Sequence, residues 1–203
     1  ATRHNVGFCV VDCLARRAGA AVTREQFSAL MGEARIGGER VCLLKPMTYM
    51  NLSGQAVRAA LDWFKETPEQ VLVVSDDLAL PLGKLRVRRG GSSGGQKGLA
   101  SILQHLGTEA FPRVRIGIGA VPPRMDAADF VLTPFGASET AEMERAIGAA
   151  ADAVECWVAR GVETAMNQYN TAPAESAGAD GPKDAKGPKH PRQPPGGGSP
   201  APT

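Results

Sequence analysis

The chain has 203 residues, of which 43% are hydrophobic, 22% charged and 5% aromatic, with a formal net charge of +2. This suits one globular domain with a substantial core; no apolar run nears the roughly 20 residues of a membrane helix, and no segment reads as a secretory signal. The near-neutral balance excludes bulk attraction to nucleic acid, so any such affinity rests on where the basic residues stand.

Thr2-Arg3-His4-Asn5 stands directly against an apolar periodic segment. Residues 5 to about 18 are predicted to form an amphipathic helix with Phe8, Val11, Leu14 and Ala18 on one face, stopped at Gly19. That helix would anchor His4 to a core, so His4 is either a frayed terminal histidine or the inner edge of a site. Residues 41 to 45 read as a buried strand ended by Pro46. Ser53 is placed as the N-cap of a helix that buries Val57, Ala60, Leu61 and Phe64 and ends before Pro68. The apolar run Val71 to Ser75 suits a strand covered on both faces, with Asp76 and Asp77 at its C-terminal end, the edge where open α/β sheets place their sites.

Residues 84 to 88 alternate, so Lys84, Arg86 and Arg88 share one strand face and Leu85 and Val87 take the other. Residues 113 to 118 repeat the pattern, with Arg113 and Arg115 opposite Val114, Ile116 and Ile118. Between these strands lies the glycine-rich segment Gly90 to Gly98, then a helix with Leu99, Ile102, Leu103 and Leu106 inward, ended by Gly107. A long helix from Ser138 to about Arg160 buries Met143, Ala146, Ile147, Ala150, Val154 and Trp157, and a short one spans Glu163 to Tyr169. After Thr171 no large apolar residue remains, so residues 1–171 form the predicted domain and 172–203 a disordered Pro/Gly-rich tail. The alternation predicts an α/β fold: a single-domain α/β/α sandwich with a mixed, mainly parallel sheet, the strands near 84 and 113 being the candidates for antiparallel pairing. Cys9, Cys13, Cys42 and Cys156 lack zinc-site spacing and are read as reduced core thiols, the single-turn spacing of Cys9 and Cys13 notwithstanding.

The glycine loop before a helix offers backbone N–H groups to an anion, and Lys84, Arg86, Arg88, Arg89, Lys97, Arg113 and Arg115 surround it as a nucleic-acid backbone would require. It is neither a Walker loop nor a dinucleotide fingerprint. The bland alternative is a loop that needs positive φ values beside an ordinary solvated face. His4 and Asp76 could form a base supported by a carboxylate, and Asn51 is either a substrate-binding amide or an Asx-turn residue.

Five separated motifs settle between these readings: Thr-Arg-His-Asn from Thr2, Lys-Pro-Met-Thr-Tyr-Met-Asn-Leu-Ser-Gly from Lys45, Ser-Asp-Asp-Leu-Ala-Leu-Pro from Ser75, the glycine loop, and Phe-Pro-Arg-Val-Arg-Ile-Gly-Ile-Gly from Phe111. In this order they resemble bacterial-type peptidyl-tRNA hydrolase, from residue 2 to about 170. The resemblance implies hydrolysis of the ester between a peptide and the 3′ end of tRNA, without metal or cofactor. It implies His4 as the general base that activates water and Asp76 as its acidic partner. Tyr49, Asn51, Gln96 and Lys97 would meet the peptide or the tRNA end, and Lys84, Arg86 and Arg88 the acceptor-stem phosphates. It further implies a cytoplasmic monomer with no membrane attachment and no obligate protein partner. Two departures qualify it. The family's apolar first strand and Gly-Asn-Pro-Gly loop do not precede Thr2, which predicts an N-terminally truncated chain of reduced stability and activity. Gln96-Lys97 stands where the family pattern has His-Asn. The competing expectations are a non-catalytic RNA-binding relative of the splicing-factor type, or an inactive fragment.

Overall fold

A computed structural model describes residues 2–170. The expected boundary at 171 and the tail 172–203 lie outside the described residues.

A 3-10 turn, Arg3–Asn5, leads into helix α1, Val6–Arg17. The helix buries Val6, Val10, Leu14 and Ala15. That stripe is rotated from the expected one, because Gly7 lies so close to the carbonyl of Val74 that a Cβ there would collide with it. Phe8 and Val11 instead line a cavity.

Strands β1, Arg24–Gln26, β2, Ala29–Ile36, and β3, Glu39–Pro46, form an antiparallel meander. Only the centre of β3 was legible in the sequence. The β2–β3 turn does carry a signal, Gly37-Gly38 at positive φ. The β1–β2 turn carries none: Phe27 and Ser28 occupy it with φ of 58° and 54°, values ordinarily given to Gly or Asn. The Phe27 ring is held there by Trp63 and Phe64, at centroid distances of 6.1 and 6.2 Å.

The second sheet comprises β4, Val73–Asp77, β5, Leu85–Arg88, and β6, Arg113–Gly117, in the order β4-β6-β5. Its β4–β6 pairing is parallel and its β5–β6 pairing antiparallel. The α/β class stands, but a mainly parallel sheet does not: β4–β6 is the one parallel pairing among the described residues. The short turns of the β1–β3 meander can join only antiparallel neighbours. Strands β3 and β4 do not pair with each other among the described residues, and both line a cavity of about 1080 Å³.

Helices α2, Ser53–Phe64, and α3, Lys97–Leu106, cover one side, where Val57, Leu61, Leu99, Ile102, Leu106 and Phe111 form a cluster joined by Val73. Ser53 is the first residue of α2 rather than its cap, since its hydroxyl donates to the carbonyl of Met50. After a short helix α4, Ala127–Val131, helix α5, Ala137–Tyr169, is broken at Gly161, where φ is 82° and ψ 169°, matching the two helices expected from the pattern. Together α1 and α5 pack on Val74, Leu85, Val87, Val114 and Ile116. Val73 and Val74 thus point to opposite faces, and β4 is sandwiched as its apolar run predicted. At the C-terminal end of that strand the buried pair Asp76 and Asp77 emerges.

Candidate active site

Close approach at Gly7 sets α1 directly on β4 and brings the preceding turn over the strand's C-terminal end. His4 Nδ1 lies 2.9 Å from Asp76 Oδ2, the histidine side chain 20% exposed and the carboxylate 5%. The other carboxylate oxygen is also used: Gln96 Nε2 donates to Asp76 Oδ1 at 3.3 Å. Gln96 Oε1 in turn accepts the backbone N–H of Leu99 at 2.6 Å and caps α3. Asp76 therefore receives a hydrogen bond from the helix-capping amide and faces the imidazole, which fixes its own orientation and that of the ring. The hydrogen bond to Asp76 raises the pKa of His4 above its ordinary 6.5, aided by the carboxylate charge and opposed by burial.

His4, Asp76 and Gln96 line the large cavity together with Met47, Met50 and Gly98. Met50 belongs to a 3-10 turn, Met50–Leu52, that packs against α3 at Gly98. Tyr49 and Asn51 flank Met50, and Lys97 is the first residue of α3; all three side chains are exposed beside the cavity-lining residues, Tyr49 to 83%. Of the sequence-derived candidates, the structure thus joins His4, Asp76 and Gln96 directly. It leaves Tyr49, Asn51 and Lys97 open to a ligand.

The basic strand face exists as the alternation predicts. Leu85 and Val87 are buried in the core, while Lys84, Arg86 and Arg88 are half-buried on the other face. Arg86 sits opposite Arg115 and Arg88 opposite Arg113, a ladder of like charges that is unfavourable unless anions neutralise it. Two members are already engaged. Arg115 Nε lies 2.7 Å from Asp77 Oδ2, whose partner oxygen accepts the N–H of Ala79. Arg113 is 2% exposed and donates to the carbonyls of Ser92 and Glu109, at 2.8 and 3.4 Å, with its guanidinium 4.4 Å from the Phe111 ring centroid. It is a buried strut under the glycine loop rather than an exposed phosphate contact, because the loop folds over that end of the sheet. The loop's Gly94 and Gly95 adopt φ of 58° and 86°, so both the conformational and the electrostatic readings of the segment have a structural basis.

Sequence reasoning missed Arg3 and Glu139, which form a bidentate pair behind the turn that carries His4. A charged residue beside the histidine was visible, but nothing pointed to a partner 136 positions away. The four cysteines are free thiols, and burial pushes that of Cys42 up to about 11. Among the described residues no group of three or more His, Cys, Asp or Glu could hold a metal ion, and no helix is long and apolar enough to cross a membrane.

The family model described as peptidyl-tRNA hydrolase matches residues 1–177. A peptidyl-tRNA hydrolase of Rhodopirellula baltica is 50% identical over 171 residues, 84% of this chain and 90% of its own length. One from Symbiobacterium thermophilum is 47% identical over 173 residues, 84% of this chain and 92% of its own. The crystal structure of peptidyl-tRNA hydrolase from Acinetobacter baumannii matches with a TM-score of 0.78 at 38% identity, covering 83% of this chain and 86% of that one.

Proposed function

The chain belongs to the peptidyl-tRNA hydrolase family, and from that premise we infer that it hydrolyses the ester between a peptide and the 3′ end of tRNA, with His4 as general base. The observation that carries this reading is the 2.9 Å contact between His4 Nδ1 and Asp76 Oδ2 at the wall of the cavity. With Nδ1–H donated to the carboxylate, Nε2 keeps its lone pair and can take a proton from water. The water oxygen attacks the ester carbonyl, and collapse of the tetrahedral intermediate breaks the bond to the tRNA hydroxyl. The imidazolium then returns its proton to that departing oxygen, releasing a peptide acid and a tRNA with a free 3′ end. Asp76 stabilises the transient imidazolium, the state in which the electrostatic attraction is strongest.

Tyr49, Asn51 and Lys97 supply a stacking ring, an amide and a cation at the outer side of the same site, suited to the terminal nucleotides or the peptide. Gln96 is assigned to holding Asp76 and the start of α3, so its influence on substrate is indirect. The face of Lys84, Arg86 and Arg88 suits acceptor-stem phosphates, which makes binding salt-dependent. This reading puts the chain in the cytoplasm, where its four thiols stay reduced. It needs no second subunit, since every proposed site residue comes from one chain. An aligned base and carboxylate favour hydrolysis over a purely RNA-binding role.

The test is turnover of an N-acetyl-aminoacyl-tRNA by the wild-type chain and by His4→Ala. Loss of turnover in the variant with tRNA binding retained supports the assignment; full turnover without His4 overturns it.

A further inference from the structure

Arg3 is a buried charged residue. Its Nη1 donates to the Ile118 carbonyl at 2.9 Å and to Glu139 Oε1 at 3.0 Å, and Nη2 reaches Glu139 Oε2 at 2.6 Å. Nε donates to Thr133 Oγ1 at 3.2 Å, and the backbone N–H of Arg3 donates to the Thr133 carbonyl at 2.9 Å. The guanidinium carbon sits 4.5 and 4.8 Å from the centroids of Phe130 and Phe135. This density of contacts far exceeds what a three-residue turn needs to close, which it does with the N–H of Asn5 donating to the Thr2 carbonyl.

Adjacent Cα atoms are about 3.8 Å apart, so a residue fixed at Arg3 fixes where His4 begins. On its other side the turn is held by α1 lying on β4 at Gly7. The His4 ring itself has one hydrogen-bond partner among the described residues, Asp76. Its aim at that carboxylate consequently depends on the two anchors flanking it.

Glu139 is the charged member of the Arg3 anchor. Its Oε2 also accepts the N–H of Gly136 at 2.7 Å, so one carboxylate ties the start of α5 to the turn that bears His4. The hydrogen bond from the Arg3 guanidinium holds the Glu139 carboxyl below the usual range. Without Glu139, a buried guanidinium would be left without its counter-charge and would be drawn toward water, carrying the turn with it.

We propose that Glu139 is a positioning residue for His4, acting through Arg3 to hold the imidazole in line with Asp76. The proposal rests on His4 being the base of the hydrolytic reaction. Removing Glu139 leaves the exposed Tyr49 and Asn51 and the half-buried Arg86 and Arg88 in place, so its effect falls on the chemical step rather than on tRNA binding.

The experiment compares wild type, Glu139→Ala, Glu139→Gln, His4→Ala and Leu106→Ala, the last a core variant in the α2–α3 cluster chosen to lower Tm by a similar amount. Turnover of an N-acetyl-aminoacyl-tRNA is followed against pH. Glu139→Ala is expected to lower kcat about 10- to 100-fold with KM nearly unchanged, the scale of a small displacement of a reacting group. The inflection of its acidic limb should move down, because a loosened His4 loses the Asp76 contact that raises its pKa. In the wild-type chain Asp76 is the group that raises the His4 pKa, through its hydrogen bond and its charge. Glu139→Gln keeps one acceptor for Arg3 and should fall between the two, and it carries the same comparison should Glu139→Ala not fold. If the Glu139 variants lose no more kcat than Leu106→Ala and their inflection stays at the wild-type pH, Glu139 is only structural and the proposal fails. Undiminished turnover in His4→Ala would instead overturn the hydrolytic reading itself, and this proposal with it.

Discussion

Replacing Asp76 with Asn preserves the shape of the side chain and removes its charge, and the surrounding donors make that substitution unusually costly. The carboxylate accepts from two sides, from His4 Nδ1 at 2.9 Å and from Gln96 Nε2 at 3.3 Å. The Gln96 amide cannot turn over freely, because its oxygen is held by the N–H of Leu99 at 2.6 Å. The amide introduced by Asp76→Asn can offer its oxygen to one neighbour only. If that oxygen faces Gln96, the new NH2 group donates to His4 Nδ1, the ring proton moves to Nε2, and the base is blocked. If the oxygen faces His4, two NH2 groups oppose each other. A positioned general base contributes about 10²- to 10⁴-fold, so Asp76→Asn should lose most of that in kcat, about 3 to 5 kcal/mol of transition-state stabilisation. Stopped assays with N-acetyl-aminoacyl-tRNA across pH give both kcat and the acidic limb. The wild-type limb should inflect above 6.5, since the base must be neutral and its pKa is raised; without the carboxylate the inflection moves down. The linked stability effect has a definite sign. A raised histidine pKa adds stability that is fully present below the ordinary value and is lost as pH rises through the folded value. The Tm gap between wild type and Asp76→Asn should accordingly narrow over that interval. Adding Gln96→Glu to Asp76→Asn supplies an acceptor for the new NH2 group, frees the amide oxygen for His4, and should recover part of the lost turnover. Wild-type turnover in Asp76→Asn, with an unmoved limb, would refute the reasoning.

Ser28 is exposed and holds φ of 54°, so Ser28→Gly should relieve left-handed strain and raise stability by a few tenths to about 1 kcal/mol, roughly 1 to 3 °C in Tm. A lower Tm by calorimetry would show that the Phe27-Ser28 turn is not strained. Arg88→Ala should raise KM for the tRNA substrate at unchanged kcat and reduce the slope of log affinity against log salt by about 1. An unchanged slope would remove Arg88 from the phosphate-contacting face.

Much of the sandwich was legible because periodicity reports which side of an element is apolar. The stripes of α2 and α3, the division of α5 near Gly161 and the basic face opposite Leu85 and Val87 all follow from spacing alone. The order of five motifs pointed to the family, and with it to His4 and Asp76, before any contact was known. Periodicity does not say what an apolar face will meet. The stripe of α1 rotated because Gly7 had to approach Val74, and the β1–β2 hairpin escaped notice because Phe27 and Ser28 hold a glycine-like conformation, with the Phe27 ring packed against Trp63 and Phe64. The same limit governs the site. His4 and Asp76 are 72 positions apart, Arg3 and Glu139 136, and the burial of Arg113 depends on how the glycine loop closes over it. The residue types by themselves determined what chemistry was possible. Tertiary folding alone decided which groups stand within hydrogen-bond reach, because those distances depend on how distant elements pack and not on any local pattern.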